Sequence, residues 1–390
     1  MAESGSVFSR DRRRRVPWLA AGAAAVCLGL SFGMASPADV LPAYLVACLF
    51  FLSLAIGGLF FVLFHFVTRA GWSVSTRRLA EHVMATIPVL ALLLVPLGSR
   101  LDVLYPWARG EVSPAALPEW QEAYLRPGFF LARAVSYLAL WSVLAWWFRR
   151  GSLLQDKTRD PAITRRLQRA SAPAIVLLGL SVTFAALDWI MSLQQGWYST
   201  MFGVYFFAGC TVGFLALLAV ALASLRGINA EGYTIHPGHL HDVGKLLFGF
   251  VCFWAYLGFS QYMLIWYASL PEETIYYGVR LAPEWIWVSR LLAIGHFVLP
   301  FFVLLSEDVK RTGWLLGGAG LWLLAMHYLD LYWLVLPTLR AGAAPQWVDL
   351  STVAGVGFVF VGTLAVLLRR GAAMPIGDPR LPESLVIEHG

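Results

Sequence analysis

LPAYLVACLFFLSLAIGGLFFVLFHFVT, residues 41–68, runs for 28 residues without one Asp, Glu, Lys or Arg. A helix rises about 1.5 Å per residue, so about 20 apolar residues span the hydrocarbon of a bilayer. A helix that is apolar all round belongs inside a membrane or at the centre of a bundle. Reading outward from this stretch, the sequence predicts ten spans: Val16–Met34, Leu41–Thr68, Ala80–Leu97, Gly128–Phe148, Pro173–Leu193, Met201–Leu225, Gly244–Leu270, Trp285–Ser306, Thr312–Leu336 and Val348–Leu368. The first is short and rich in Ala and Gly. Composition agrees. Of 390 residues 59% are hydrophobic and 13% charged, against about 25% charged in soluble proteins, and mean hydropathy is +0.67. The expected fold is an all-α polytopic membrane protein.

The net charge of +6 is no nucleic-acid signal, because the basic residues fall in alternate loops. Seven lie between Arg149 and Arg169, whereas the opposite loops hold only Arg100, Arg109, Arg126, Arg280 and Arg340. By the positive-inside rule both termini are expected on the cytoplasmic side. The basic cluster Ser9–Arg15 precedes a full apolar span with no small-residue cleavage site, so the first helix is expected to be retained. Loops on the other side carry aromatic and acidic residues, among them Trp107, Glu272, Glu273, Tyr276 and Tyr277. They suit either an interfacial belt or a docking surface for an extracytoplasmic partner. The Pro-rich tail is expected to be extended, along a neighbour or disordered.

Cys27, Cys48, Cys210 and Cys252 all lie in apolar spans, with no CxxC or CxxCH. They read as small buried hydrophobes, and no metal site is expected. His65, His296 and His327 sit at three depths, which argues against bis-His haem. No Walker loop, HExxH or supported Ser-His-Asp set is present.

Charge within the spans is disfavoured by roughly 2.5–3.5 kcal/mol per residue and needs a reason. Arg133 in span four is followed by Asp188 in span five, and Arg290 in span eight by Asp330 in span nine, all near the outer side. An offset of four spans keeps orientation. The order therefore predicts two four-helix bundles, spans two to five and six to nine, related as a parallel repeat and flanked by spans one and ten. Residues 1–15 would be a basic N-terminus, 16–40 a peripheral helix, 41–193 and 201–336 the bundles, 348–368 the tenth helix and 369–390 the tail.

The four charges are expected to converge in one hydrated pocket with His327, one turn before Asp330, and Gln261 at similar depth. A carboxylate beside an imidazole suits proton exchange, and buried ion pairs that fix packing are the plainer alternative. Ser181, Asp188 and Ser192 share a face, which suits a proton stripe or packing contacts. His296 lies near mid-membrane and His65 near an inner end, both packing residues or functional ones. Glu81, His82, Glu307 and Asp308 read as solvated interface. Trp189, Trp197 and Trp333 lie near the charges in sequence and supply aromatic walls.

Asp188–Gly209 (DWIMSLQQGWYSTMFGVYFFAG), Asp242–Tyr267 (DVGKLLFGFVCFWAYLGFSQYMLIWY), Leu270-Pro-Glu-Glu-Thr274 and Pro375–Ser384 (PIGDPRLPES) resemble the second large membrane subunit of bacterial alternative complex III, the ActF type. That family is similar to the NrfD/polysulfide-reductase membrane subunits. The resemblance implies a multi-pass subunit of a bacterial inner-membrane quinol:electron-acceptor oxidoreductase that is not catalytic alone. It also implies quinone or menaquinone as ligand, proton conduction, and no cofactor bound by this chain alone. Implied partners are a sister NrfD-like subunit, an extracytoplasmic iron–sulfur subunit, c-haem subunits and lipids, with no nucleic acid. Within the matching stretches it points to Asp188, Trp197, Tyr198, Lys245, Tyr256 and Gln261. Two other readings fit the residues: a proton-coupled secondary transporter, and a structural anchor for extracytoplasmic redox partners.

Overall fold

A computed structural model describes residues 10–110, 119–225, 236–369 and 374–385, and among these the chain is helical with no strand. Among the described residues ten helices are long and apolar enough to cross a membrane. They are α1 Arg15–Met34, α2 Pro37–Val67, α3 Val74–Gly98, α4 Pro127–Thr158, α5 Pro161–Leu193, α6 Phe202–Leu225, α7 Pro237–Ala268, α8 Ile286–Leu305, α9 Gly313–Thr338 and α10 Trp347–Arg369. The protein is an all-α, multi-pass membrane protein.

Local chemistry sets the helix ends. Ser36 caps α2 by accepting from the Asp39 N–H at 3.3 Å, and Pro37 follows at the first helical position. The basic segment Arg149–Arg169, the end of α4 and the start of α5, is mostly helix rather than loop. Only Arg159, left-handed at φ 53°, and Asp160 turn the chain, and Asp160 caps α5 by accepting from the Ala162 N–H at 2.8 Å. α7 likewise ends on left-handed Ser269, and a connecting helix, Pro271–Arg280, leads toward α8.

α8 is not regular. A π-turn occupies Ala293–Val298, just before Pro300. Proline has no N–H to offer the His296 carbonyl four residues back, so the turn widens. Trp322 of α9 donates its indole N–H to the Gly295 carbonyl at 2.7 Å.

α2 packs on α3 and α5, α3 on α4 and α4 on α5; α6 packs on α7 and α9, α7 on α8 and α8 on α9. These contacts close one ring over α2–α5 and another over α6–α9. The rings meet along α2 and α6, while α1 packs on α10 and α10 on α2. The central α2, apolar on every side, is buried over 89% of its most apolar window, against 17% for α1 and α4. Small residues permit the approach of α2 to α6: a Cβ on Gly57 would meet the Phe214 Cβ at 2.5 Å.

The tail departs from expectation. Residues 374–385 fold back onto the chain's own basic end. Asp378 accepts from Arg77 Nη2 at 2.8 Å, the Gly377 N–H donates to Asp156 at 3.1 Å, and the Ser384 hydroxyl donates to the Trp72 carbonyl at 2.6 Å. Arg77 also pairs with Glu81 at 3.1 Å, and Arg78 joins Glu81 to Asp156. Glu81, held by both arginines, and its neighbour His82 are buried rather than solvated.

Candidate functional site

The first intramembrane pair forms as expected. Arg133 of α4 grips Asp188 of α5 through both carboxylate oxygens, at 2.9 and 3.0 Å. Tyr137 donates to the same carboxylate at 3.0 Å, and Arg133 donates to the Tyr124 carbonyl at 2.7 Å. The guanidinium lies 3.7 Å from the Tyr124 ring centre and 4.5 Å from that of Phe129. Every charge here is matched, so this node is built for holding rather than exchange. Ser181 accepts from Trp141 Nε1 at 2.8 Å, and Ser192 donates to the Asp188 carbonyl at 2.5 Å. The Ser181–Asp188–Ser192 stripe is a set of packing bonds.

The second pair does not form. Arg290 is exposed, with its guanidinium 5.1 Å from the Trp287 ring centre, and no ion pair joins it to Asp330 among the described residues. Four charges do not converge. No hydrogen bond, ion pair or shared partner links Asp188 with Asp330 among those residues. The order along the chain suggests matching depth, but rotation about the helix axis decides contact, and Arg290 meets the open cavity rather than Asp330.

Asp330 is instead a buried carboxylate with no cation beside it among the described residues. Tyr205 of α6 donates to Oδ1 at 2.6 Å, and Trp254 of α7 donates to Oδ2 at 3.2 Å. His327, one turn earlier, is fully buried. Its Nε2 meets the Ser53 hydroxyl at 2.8 Å, while that hydroxyl gives its one hydrogen to the Phe50 carbonyl at 2.7 Å. Nε2 therefore carries the imidazole hydrogen, and Nδ1 presents a lone pair with no partner. A Cβ on Gly209 would stand 3.5 Å from Nδ1 and 3.6 Å from Asp330 Oδ2, so both face the same bare stretch of α6. His296, which the π-turn places inward, stacks 4.0 Å from Trp254 with both nitrogens unpartnered.

A cavity of about 720 Å³ adjoins this node, within the usual range for small-ligand sites of about 300–1,000 Å³. Tyr205, Trp254, Tyr276, Tyr277 and Trp333 form its aromatic wall; Gln261, Ser289 and Arg290 supply polar groups. Tyr256 lines it too, though exposed. Gln261 accepts from Ser199 at 3.2 Å, and Trp333 donates to Ser289 at 2.7 Å. Trp197 lies one layer behind, stacked 3.9 Å from Tyr276. Trp189 lines a different cavity, about 610 Å³ in the first ring, whose lining carries no charged residue. Tyr198 is exposed and bonds to none of these groups among the described residues.

Arg280 escaped the sequence reading, which placed it in a loop. It is 2% exposed and pairs with no carboxylate among the described residues. Instead it donates to Gln194 Oε1 at 2.8 Å and to the Tyr276 and Leu334 carbonyls at 3.0 and 2.9 Å, with its plane 3.6 Å from the Tyr276 ring centre. Burial pulls its pKa below the ordinary arginine value and pushes the Tyr276 phenol up to about 12. Tyr205 and Trp254 were also missed, since aromatics in an apolar span look like core until their partner is seen. No family model matches the chain, and no curated protein matches it.

Proposed function

We propose that the chain is a membrane subunit of a respiratory quinol:electron-acceptor oxidoreductase, in which the α6–α9 ring handles quinol and its protons. The observation that carries this reading is the 2.6 Å hydrogen bond from Tyr205, in the wall of an aromatic cavity, to the uncompensated buried carboxylate of Asp330. Quinol oxidation releases two protons with two electrons. The aromatic wall suits the ring, and a quinol hydroxyl that donates to Tyr205 Oη can pass a proton to Asp330 as Tyr205 gives up its own. The bare Nδ1 of His327, beside the same face of α6, is a second acceptor. Electrons would leave through redox groups of partner subunits, namely an extracytoplasmic iron–sulfur protein and c-type cytochromes. The two rings read as a parallel repeat whose halves have diverged: a matched ion pair for anchoring in one, an unmatched acid in the other. The basic end, by the positive-inside rule, faces the cytoplasm of a bacterial inner membrane.

Asp330→Asn and Tyr205→Phe test the reading in the intact complex. Each is expected to lower quinol-dependent turnover at least tenfold while the complex still assembles. Unchanged turnover in both would reduce the site to packing.

A further inference from the structure

A second binding surface lies at the opposite, basic end, where three cavities of about 750, 330 and 450 Å³ run side by side around the α4–α5 hairpin. Trp147 and Arg166 line both the first and the second; Trp146, Arg150 and Leu154 line both the second and the third. The three therefore form one groove. Arg77, Arg78 and Arg311 of that end are ion-paired to carboxylates, whereas four arginines of the groove, Arg150, Arg165, Arg166 and Arg169, are in no ion pair among the described residues. The tryptophans hold two of them in place: the Arg150 guanidinium lies 5.1 Å from the Trp146 ring centre and that of Arg166 5.6 Å from Trp147. Exposed apolar side chains, Val143, Trp146 and Leu154, continue the groove along α4.

We infer that this groove is a site for an anionic phospholipid, its phosphodiester held between Arg150 and Arg166 and its acyl chains laid against Trp146 and Leu154. Charge complementarity selects the occupant. Unpaired guanidiniums set beside exposed apolar surface match a ligand that is an anion at one end and hydrocarbon at the other. A soluble anion would leave the apolar length bare, and a zwitterionic lipid would bring a choline or amine against four arginines.

The test uses the full chain in detergent, titrated with phosphatidylglycerol, with phosphatidylcholine and with inorganic phosphate, and followed by native mass spectrometry and thermal unfolding. Phosphatidylglycerol should bind and raise the unfolding temperature, with little effect of the other two. Arg150→Gln/Arg166→Gln should weaken that binding about twenty-five-fold, since each juxtamembrane arginine contributes about fivefold. A control pair, Arg100→Gln/Arg109→Gln at the other end, should leave it unchanged. Equal stabilisation by phosphatidylcholine, a matching response to phosphate alone, or undiminished binding by the Arg150/Arg166 variant would overturn the inference.

Discussion

Replacing Arg133 with Gln isolates what the two sequence-matched arginines do. Asp188 is 1% exposed and Arg133 11%, so the variant strands a carboxylate in the bundle with Tyr137 as its remaining side-chain donor. Breaking a buried pair from one side costs about 3–5 kcal/mol. Loss of the guanidinium from the faces of Tyr124 and Phe129 adds about 0.5–1 kcal/mol each. The expected destabilisation is about 4–7 kcal/mol. Arg290→Gln, at the sequence-equivalent place but exposed and in no ion pair among the described residues, should stay within about 0.5 kcal/mol. Arg133→Gln/Asp188→Asn removes the stranded charge and should recover about 3 kcal/mol, a coupling that a double-mutant cycle reads directly. The assay is denaturant unfolding of the full chain in mixed micelles, followed by tryptophan fluorescence. Equal effects of Arg133→Gln and Arg290→Gln, or a double variant no better than Arg133→Gln, would refute the reasoning.

Three further outcomes follow from the structure. Gly213→Ala would set a Cβ 2.5 Å from His327 Cδ2 and 2.9 Å from Leu54 Cδ2, and should destabilise by about 1–3 kcal/mol, whereas Gly22→Ala, with nothing within 4 Å, should not. Tyr276, pushed up to about 12 by burial from the usual 10.0, keeps its proton in the fold after the unfolded chain has lost it. Its contribution of about 3 kcal/mol is thus intact below pH 10 and lost between about pH 10 and 12, so Tyr276→Phe should flatten the alkaline fall in stability seen by unfolding at stepped pH. Asp378→Ala removes a buried partner of Arg77 and should cost about 3–5 kcal/mol and free the tail for limited proteolysis; a tail as resistant as in the parent would contradict its docking.

The spans were legible because an apolar stretch of membrane length has few other uses, and the Arg133–Asp188 pair because charge in such a stretch demands a partner. The partnership of Asp330 was not legible. Helical spacing places Asp330 and His327 on one face of α9, yet which residue of another helix meets that face depends on its rotation, which a hydropathy pattern does not encode. Arg280 illustrates the same limit from the loop side: nothing in its neighbourhood of polar and aromatic residues distinguishes an interfacial belt from a lid folded over Trp333. The tail was misjudged for a related reason. Its prolines leave only the short helix Leu381–Leu385, and Asp378 and Ser384 find their partners on α3, some 300 residues earlier in the chain.

The cavity walled by Tyr205 and Trp254 is the centre of the account, and a photoreactive azidoquinone offered to the assembled complex tests it most directly. Labelling mapped by mass spectrometry should fall on the cavity-lining segments of α7 and α8, between Cys252 and Tyr262 and between Ser289 and Phe301, and unlabelled quinone should compete it away. Labelling confined to the first-ring cavity, or spread over outward-facing residues and indifferent to competitor, would contradict it.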